Sequence, residues 1–204
     1  ACEALGYKDV YQVKLLPADA DPLDIRYNVI QWVHRSTRGW SYGFSVTDPR
    51  TGEILKGHVS LGSQRVRQDY MIAEALLMPY GDDPSGEGKT GADPAMETMA
   101  LARLRQLSAH EVGHTLGFAH NYIASADGRS SVMDYPHPLI SLNEGEIDLS
   151  QAYTDGIGEW DKVYVAYGYQ DFPEGSDEIT ELKKILSGAG KEGLRFVSER
   201  DARP

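Results

Sequence analysis

The chain has 204 residues, 41% of them hydrophobic, with three tryptophans. That is long enough to bury a sizeable core and too apolar for a disordered chain. A formal net charge of -11 argues against nucleic acid or an anionic membrane as partner. It suits cationic substrates, or serves solubility alone.

The longest apolar run, around Ala73–Met78, is far too short to span a bilayer. The single cysteine, Cys2, excludes an internal disulfide framework and reads as a terminal residue without a role. No signal peptide is visible and position 1 is not methionine, as expected of a mature or excised segment.

Residues 1–8 read as the tail of a helix ending near Gly6. Val10–Leu16 alternates as a short strand does, and Pro17 closes it. Ile25–His34 is rich in β-branched and aromatic residues and predicts a strong strand. Trp40–Thr47 and Glu53–Leu61 flank the turn-forming set Asp48-Pro49-Arg50-Thr51-Gly52, which predicts a hairpin. Gln64–Met78 has helical periodicity, and Pro79–Asp93 is a glycine- and acid-rich loop. Asp93 and Pro94 suit the N-cap and first position of a helix that runs unbroken to Leu116. Further helices are expected over Gly158–Tyr169 and Asp177–Leu186, and a strand over Leu194–Ser198.

The helix that starts at Pro94 leads, in its C-terminal half, into His110-Glu111-Val112-Gly113-His114-Thr115-Leu116-Gly117-Phe118-Ala119-His120, the pattern H-E-x-x-H-x-x-G-x-x-H. Residues four apart on a helix differ by roughly 40° around the axis and about 6 Å along it, so His110 and His114 can reach one ion. Glu111 is rotated by roughly 100° and borders the site without ligating it. Gly117 can adopt positive φ, end the helix and turn the chain, which frees His120 to approach from another side. Three neutral imidazoles suit zinc and leave a fourth position for water, on which Glu111 can act as general base. Thirteen residues past His120, Ser130-Ser131-Val132-Met133-Asp134-Tyr135 forms a polar, turn-rich stretch around a methionine.

With both elements present the chain resembles the metzincin zinc metallopeptidases, whose Met-turn lies beneath the three histidines; Met133 matches that methionine. Tyr135 matches the tyrosine that astacin-like and serralysin-like members carry as an extra zinc ligand or oxyanion partner. Arg26–Arg35 and Asp48–Ile54 are similar to a family of large bacterial proteins called met-zincin, assigned as zinc-dependent metalloproteases. Asn121, directly after the third histidine, departs from the astacin, serralysin, matrixin and adamalysin patterns, so no subfamily's substrate rules carry over.

The resemblance implies an α+β, layered fold. It has a twisted, mostly parallel sheet, an active-site helix carrying H-E-x-x-H and a C-terminal helical subdomain after the Met-turn. It implies a single catalytic domain over 1–204, with an upper part to about 117 and a lower part from about 118. A first strand and most of a long helix would then lie upstream in a larger protein. It further implies one catalytic zinc on His110, His114 and His120, a protein or peptide substrate, and a periplasmic or extracellular setting. The substrate would lie along a sheet edge, assigned to Glu53–Leu61, with Pro136–Leu142 as the wall beyond the scissile bond.

Other residues carry simpler readings beside sharper ones. His34 and His58 read as structural strand histidines, although His58 on the assigned edge could line a cleft, and His137 sits between two prolines past the Met-turn. Asp82, Asp83, Glu87 and Asp93 offer hard oxygen ligands that suit calcium, but without EF-hand spacing they read as a solvated loop. Gly156–Trp160 reads as a loop–helix junction and lacks the context of a phosphate site. Glu144 and Glu146 would supply the third ligand in a gluzincin arrangement, which Gly117 and His120 argue against. An alternative from another class is a non-catalytic, zinc-stabilised module that binds peptide or serves assembly of a larger protein.

Overall fold

The computed structural model describes residues 2–37, 39–77, 94–154 and 156–201. Three strands form one sheet: β1 (Val29–Val33), β2 (Tyr42–Thr47) and β3 (Ile54–Gly62), in the order β1-β3-β2. The hairpin read from the sequence is β2–β3. In its turn the Asp48 carboxylate accepts the Arg50 N–H at 2.9 Å, and Gly52 takes φ +79, a region that suits glycine. β1 runs parallel to β3 and β2 antiparallel to it. The expected mostly parallel sheet is therefore corrected: one of its two pairings is parallel, because the tight turn folds β3 back along β2.

The assignment of Glu53–Leu61 as the sheet edge is also corrected. β3 is the central strand, buried continuously from Lys56 to Gly62. Val59 and Leu61 enter the core, while Lys56 Nζ donates to the carbonyls of Asp24 and Tyr27. Among the described residues β2 pairs with β3 alone, so β2 presents an open edge. Val10–Leu16 forms no strand, and Val13 and Leu15 are exposed. Alternation alone does not make a strand where no neighbour supplies the ladder. The N-terminal helix tail is a short 3-10 helix, Cys2–Leu5.

Helix α1 (Gln64–Leu77) packs on α2 (Pro94–Thr115), which also lies against β2 and β3. α2 opens with Pro94, whose fixed φ and missing N–H are tolerated at a first helical position. Its expected cap, Asp93, and the rest of the acidic loop lie outside the described residues. Ala73 of α1, Met96 and Met99 of α2, and Leu149, Ala152 and Tyr153 form one core cluster; Val59, Leu61 and Leu107 form a second.

After α2 come a two-stranded hairpin, β4 (Ser141–Asn143) with β5 (Glu146–Asp148), then α3 (Glu159–Tyr169) and α4 (Glu178–Lys191). The hairpin is absent from the sequence reading. Its turn residues, Glu144 and Gly145, both have positive φ, as a two-residue hairpin of this hand requires. α4 runs five residues beyond the expected Leu186, and the Asp177 side chain caps its start. Leu194–Ser198 forms no strand and is held by other means, described below. No helix among the described residues is long and apolar enough to cross a membrane.

Candidate metal centre and its cleft

α2 carries His110, Glu111 and His114 in its last turns. It ends as the glycine foretells. Gly117, at φ +85, donates to the His114 carbonyl at 3.0 Å, and Phe118 N–H donates to the Gly113 carbonyl at 3.1 Å. This paired closure satisfies the last carbonyls and reverses the chain, which brings His120 back to its partners. His114 Nε2 lies 3.1 Å from Nε2 of both His110 and His120, and ligand atoms of all three rings lie within 4.8 Å of one another.

The other nitrogen of each ring is fixed. His110 Nδ1 donates to the Val132 carbonyl at 2.7 Å and His114 Nδ1 to the Phe118 carbonyl at 2.9 Å; His120 Nδ1 donates to Glu199 Oε1. These partners are acceptors, so each ring proton sits on Nδ1 and each Nε2 turns a lone pair inward. Three lone pairs face one another with no proton to bridge them, an arrangement that a cation relieves. Nitrogens about 2.0–2.1 Å from a tetrahedral zinc stand about 3.3 Å apart, close to the separations here. Burial, then the neighbouring imidazoles, lowers His110 to about 4; burial also lowers His114. Both shifts favour the neutral ring that ligation needs. The residues present fit a zinc ion.

A second layer holds these acceptors. Met133 is fully buried, and a Cβ on Gly113 would meet its Sδ at 2.3 Å, so glycine lets the helix rest on the methionine. The buried Asp161 carboxylate, from the first turn of α3, accepts from Ser131 Oγ at 2.6 Å, Val132 N–H at 3.0 Å and Gly158 N–H at 2.7 Å. The Val132 carbonyl on the other side of that turn receives His110 and, at 3.0 Å, Gln106 Nε2. Asp161 thereby orients His110 through one residue of backbone, although burial raises its own pKa.

Asn121 has a structural role. It is fully buried, its N–H donates to the Met133 carbonyl at 2.8 Å, and its side chain bonds Arg195 O and Val197 N–H, each at 3.0 Å. Tyr122 N–H adds a bond to Val197 O at 2.8 Å, and Phe196 stacks on Trp160. The C-terminal segment is so placed that Glu199 meets His120, with Tyr122 Oη donating to the same carboxylate at 3.0 Å. Burial opposes the Glu199 charge, but the bonds from His120, its own backbone and Tyr122 together carry it down to about 2.

A cleft of about 470 Å³ runs from His110 and His114 along α2 and residues 39–43, and Glu111 and Tyr135 line it. Glu111 is buried, and desolvation raises it to about 7 against a hydrogen bond from Gly43 N–H and the charge of Arg103. Gly43 permits this approach: a Cβ there would lie 1.9 Å from the Glu111 carbonyl oxygen. Tyr135 is exposed, with its ring 4.5 Å from that of His120.

The structure thus gathers His110, Glu111, His114, Gly117, His120, Met133 and Tyr135 at one place. His34, His58, His137, Glu144 and Glu146 do not line the cleft, nor does any residue of the wall expected over Pro136–Leu142. His58 stacks on Phe44 instead, and Glu144 and Glu146 belong to the β4–β5 hairpin. The carboxylates proposed for calcium lie outside the described residues. Sequence reasoning missed Glu199, Asp161, Tyr122 and Gly43. Glu199 lies 79 residues from His120 and no local spacing points to it. Asp161 had one signal, an acid in the first turn of an expected helix, which reads ordinarily as a dipole or cap device.

The sequence pattern of the Met-zincin family matches residues 92–204, more than half of the chain. The chain belongs to the Met-zincin family. The matched span takes in all of α2, the triad, Met133 and Glu199. No curated protein and no solved structure matches the chain. The mixed α+β architecture is compatible with a Met-zincin domain, and the family together with the triad supports a zinc-binding metallopeptidase.

Proposed function

We propose that this Met-zincin protein is a zinc-dependent endopeptidase in which Glu111 is the general base. One observation carries the reading: three imidazoles, each with its proton fixed at Nδ1, aim Nε2 lone pairs at one point beside a buried carboxyl in an open cleft. His110, His114 and His120 would hold the ion. When bound, zinc supplies Lewis acidity that polarises a carbonyl and acidifies water.

Glu111 takes the proton lost by the attacking water as the water oxygen bonds to the scissile carbon. It then gives that proton to the leaving nitrogen as the C–N bond breaks. A carboxyl lifted to about 7 by burial is suited to both directions near neutral pH. Tyr135 stands at the cleft wall, where its hydroxyl donates to the developing oxyanion. The substrate extends along the open edge of β2, as peptides do when they add a strand. On family grounds the enzyme works in the periplasm or outside the cell.

The test is hydrolysis of casein by the zinc-loaded chain beside Glu111→Ala, with zinc measured on both. Cleavage by the parent alone at equal zinc supports the reading. One equivalent of zinc with no cleavage by either refutes it in favour of a peptide-binding or assembly module.

A further inference from the structure

The far end of the cleft is cationic, in a chain that is acidic overall. Arg65 and Gln68 of α1 and Arg103 of α2 line it beyond Leu107 and His110. Arg103 is 5% exposed; one of its terminal nitrogens donates to Gln106 Oε1, its guanidinium sits 5.4 Å from the centre of the Tyr153 ring, and its Nε has no partner. Arg65 Nε is likewise unpartnered, although the side chain is only partly buried. One buried carboxylate, Asp69, faces the two guanidiniums. Its contact with Arg65 is long, at 3.4 Å, and neither of its oxygens makes a hydrogen bond. Burial pushes Asp69 towards its neutral form, and burial and Arg65 both work against the charge of Arg103. Among the described residues the two guanidiniums thus face only Asp69 and, from Arg103, Glu111, two carboxyls that burial pushes towards their neutral forms, and uncompensated buried charge is costly.

We propose that Arg65 and Arg103 form a specificity subsite that takes an acidic side chain of the peptide substrate. The assignment rests on the peptidase reading above. Arg103 precedes His110 by seven residues, two helical turns, and so lies on the same face about 10 Å along the axis. An extended peptide rises about 3.3 Å per residue, which sets the acidic residue two or three positions from the scissile bond. A carboxylate there meets the planar donor edges that Arg offers in pairs. A neutral amide of the same shape leaves them uncompensated.

Two measurements test this. The active zinc-loaded chain digests a peptide library, and the cut sites are sequenced. The zinc-loaded Glu111→Gln chain, which leaves bound peptide intact, is titrated with fluorescent peptides carrying a single Glu, Gln or Lys scanned through one sequence. Acidic residues are expected two or three positions from the cut, with Glu peptides binding about tenfold or more tighter than Gln peptides. Arg65→Gln, at unchanged zinc content and circular dichroism, should abolish that preference through KM with little change in kcat. Arg65→Lys should restore part of it, and Arg103→Lys should report on the buried partner while retaining its charge.

Cleavage without acidic preference, or with preference for Lys, overturns the subsite and leaves the peptidase reading standing. No cleavage, but tighter binding of Glu peptides that Arg65→Gln removes, keeps the subsite and defeats the peptidase. Equal binding of Glu and Gln peptides, or no binding at all, overturns the subsite.

Discussion

Gly43→Ala is the sharpest perturbation of the contact between the sheet and the active-site helix. The added Cβ would stand 1.9 Å from the Glu111 carbonyl oxygen, 2.8 Å from its carbon and 3.1 Å from Cα. All three are backbone atoms of a helix, so no side chain can swing aside. β2 is hydrogen-bonded to β3 along its length, so either the strand or α2 must move by more than an ångström. Overpacking of this kind costs about 1–3 kcal/mol. The same movement draws Gly43 N–H away from the Glu111 carboxyl, whose pKa it helps to lower, and an ordinary hydrogen bond is worth about 0.5–1.5 kcal/mol.

The sum, about 1.5–4.5 kcal/mol, is a large part of the roughly 5–15 kcal/mol that ordinarily separates folded from unfolded chains. Urea denaturation of the zinc-loaded protein should show that loss, and casein turnover should fall with it. Gly52→Ala is the comparison: its Cβ meets nothing within 4 Å, so only the positive φ of +79 is penalised, at about 1 kcal/mol. A Gly43→Ala protein within about 0.5 kcal/mol of the parent, with unchanged turnover, would refute the account of how the helix and sheet meet.

Glu199→Gln should weaken zinc binding by about 10–100-fold, measured by competition with a chromogenic chelator, while far-ultraviolet circular dichroism stays the same; unchanged affinity would remove Glu199 from the centre. Asp161→Ala leaves Ser131 Oγ and the N–H groups of Val132 and Gly158 without an acceptor and should cost about 3 kcal/mol or more in chemical denaturation. In the metal-free protein two buried groups pull in opposite directions. Glu111, raised from 4.5 to about 7, holds its proton longer when folded, so it lowers stability as pH rises through that window. His110, lowered from 6.5 to about 4, raises stability as pH rises from 4 to 6.5, and His114 acts in the same sense. Glu111→Gln should therefore gain stability between pH 4.5 and 6.5 relative to the parent, on the order of 3 kcal/mol; parallel pH curves for the two proteins would contradict the burial assigned to Glu111.

The histidine triad was legible because helix geometry makes four-residue spacing a statement about direction, and because Gly117 marks where that geometry must end. The hairpin β2–β3 was legible for a similar reason, since Asp48–Gly52 carries its own turn chemistry. The central position of β3 was not. An alternating or apolar run tells how deeply a strand is buried, not which neighbours flank it, and the parallel pairing of β3 with β1 depends on a chain crossing. Val10–Leu16 shows the converse, a strand-like pattern with no partner. Glu199 and Asp161 were invisible because they act across 79 and 29 residues of sequence, through contacts that exist only once α3 and the C-terminal segment have docked. Asn121 stands out in the sequence, but its purpose, tying the third-histidine loop to Arg195 and Val197, needs the folded chain to be seen.

The separation of Glu199 from His120 also sets a clock. A ribosome adding about 5–20 residues per second completes the H-E-x-x-H helix and the third histidine well before it reaches the carboxylate that steadies His120. Across 79 residues the delay is about 4–16 s. During that interval the nascent chain holds a triad with one ring unanchored. All three rings are anchored only once residue 199 has been made, so the order of synthesis itself postpones completion of the triad.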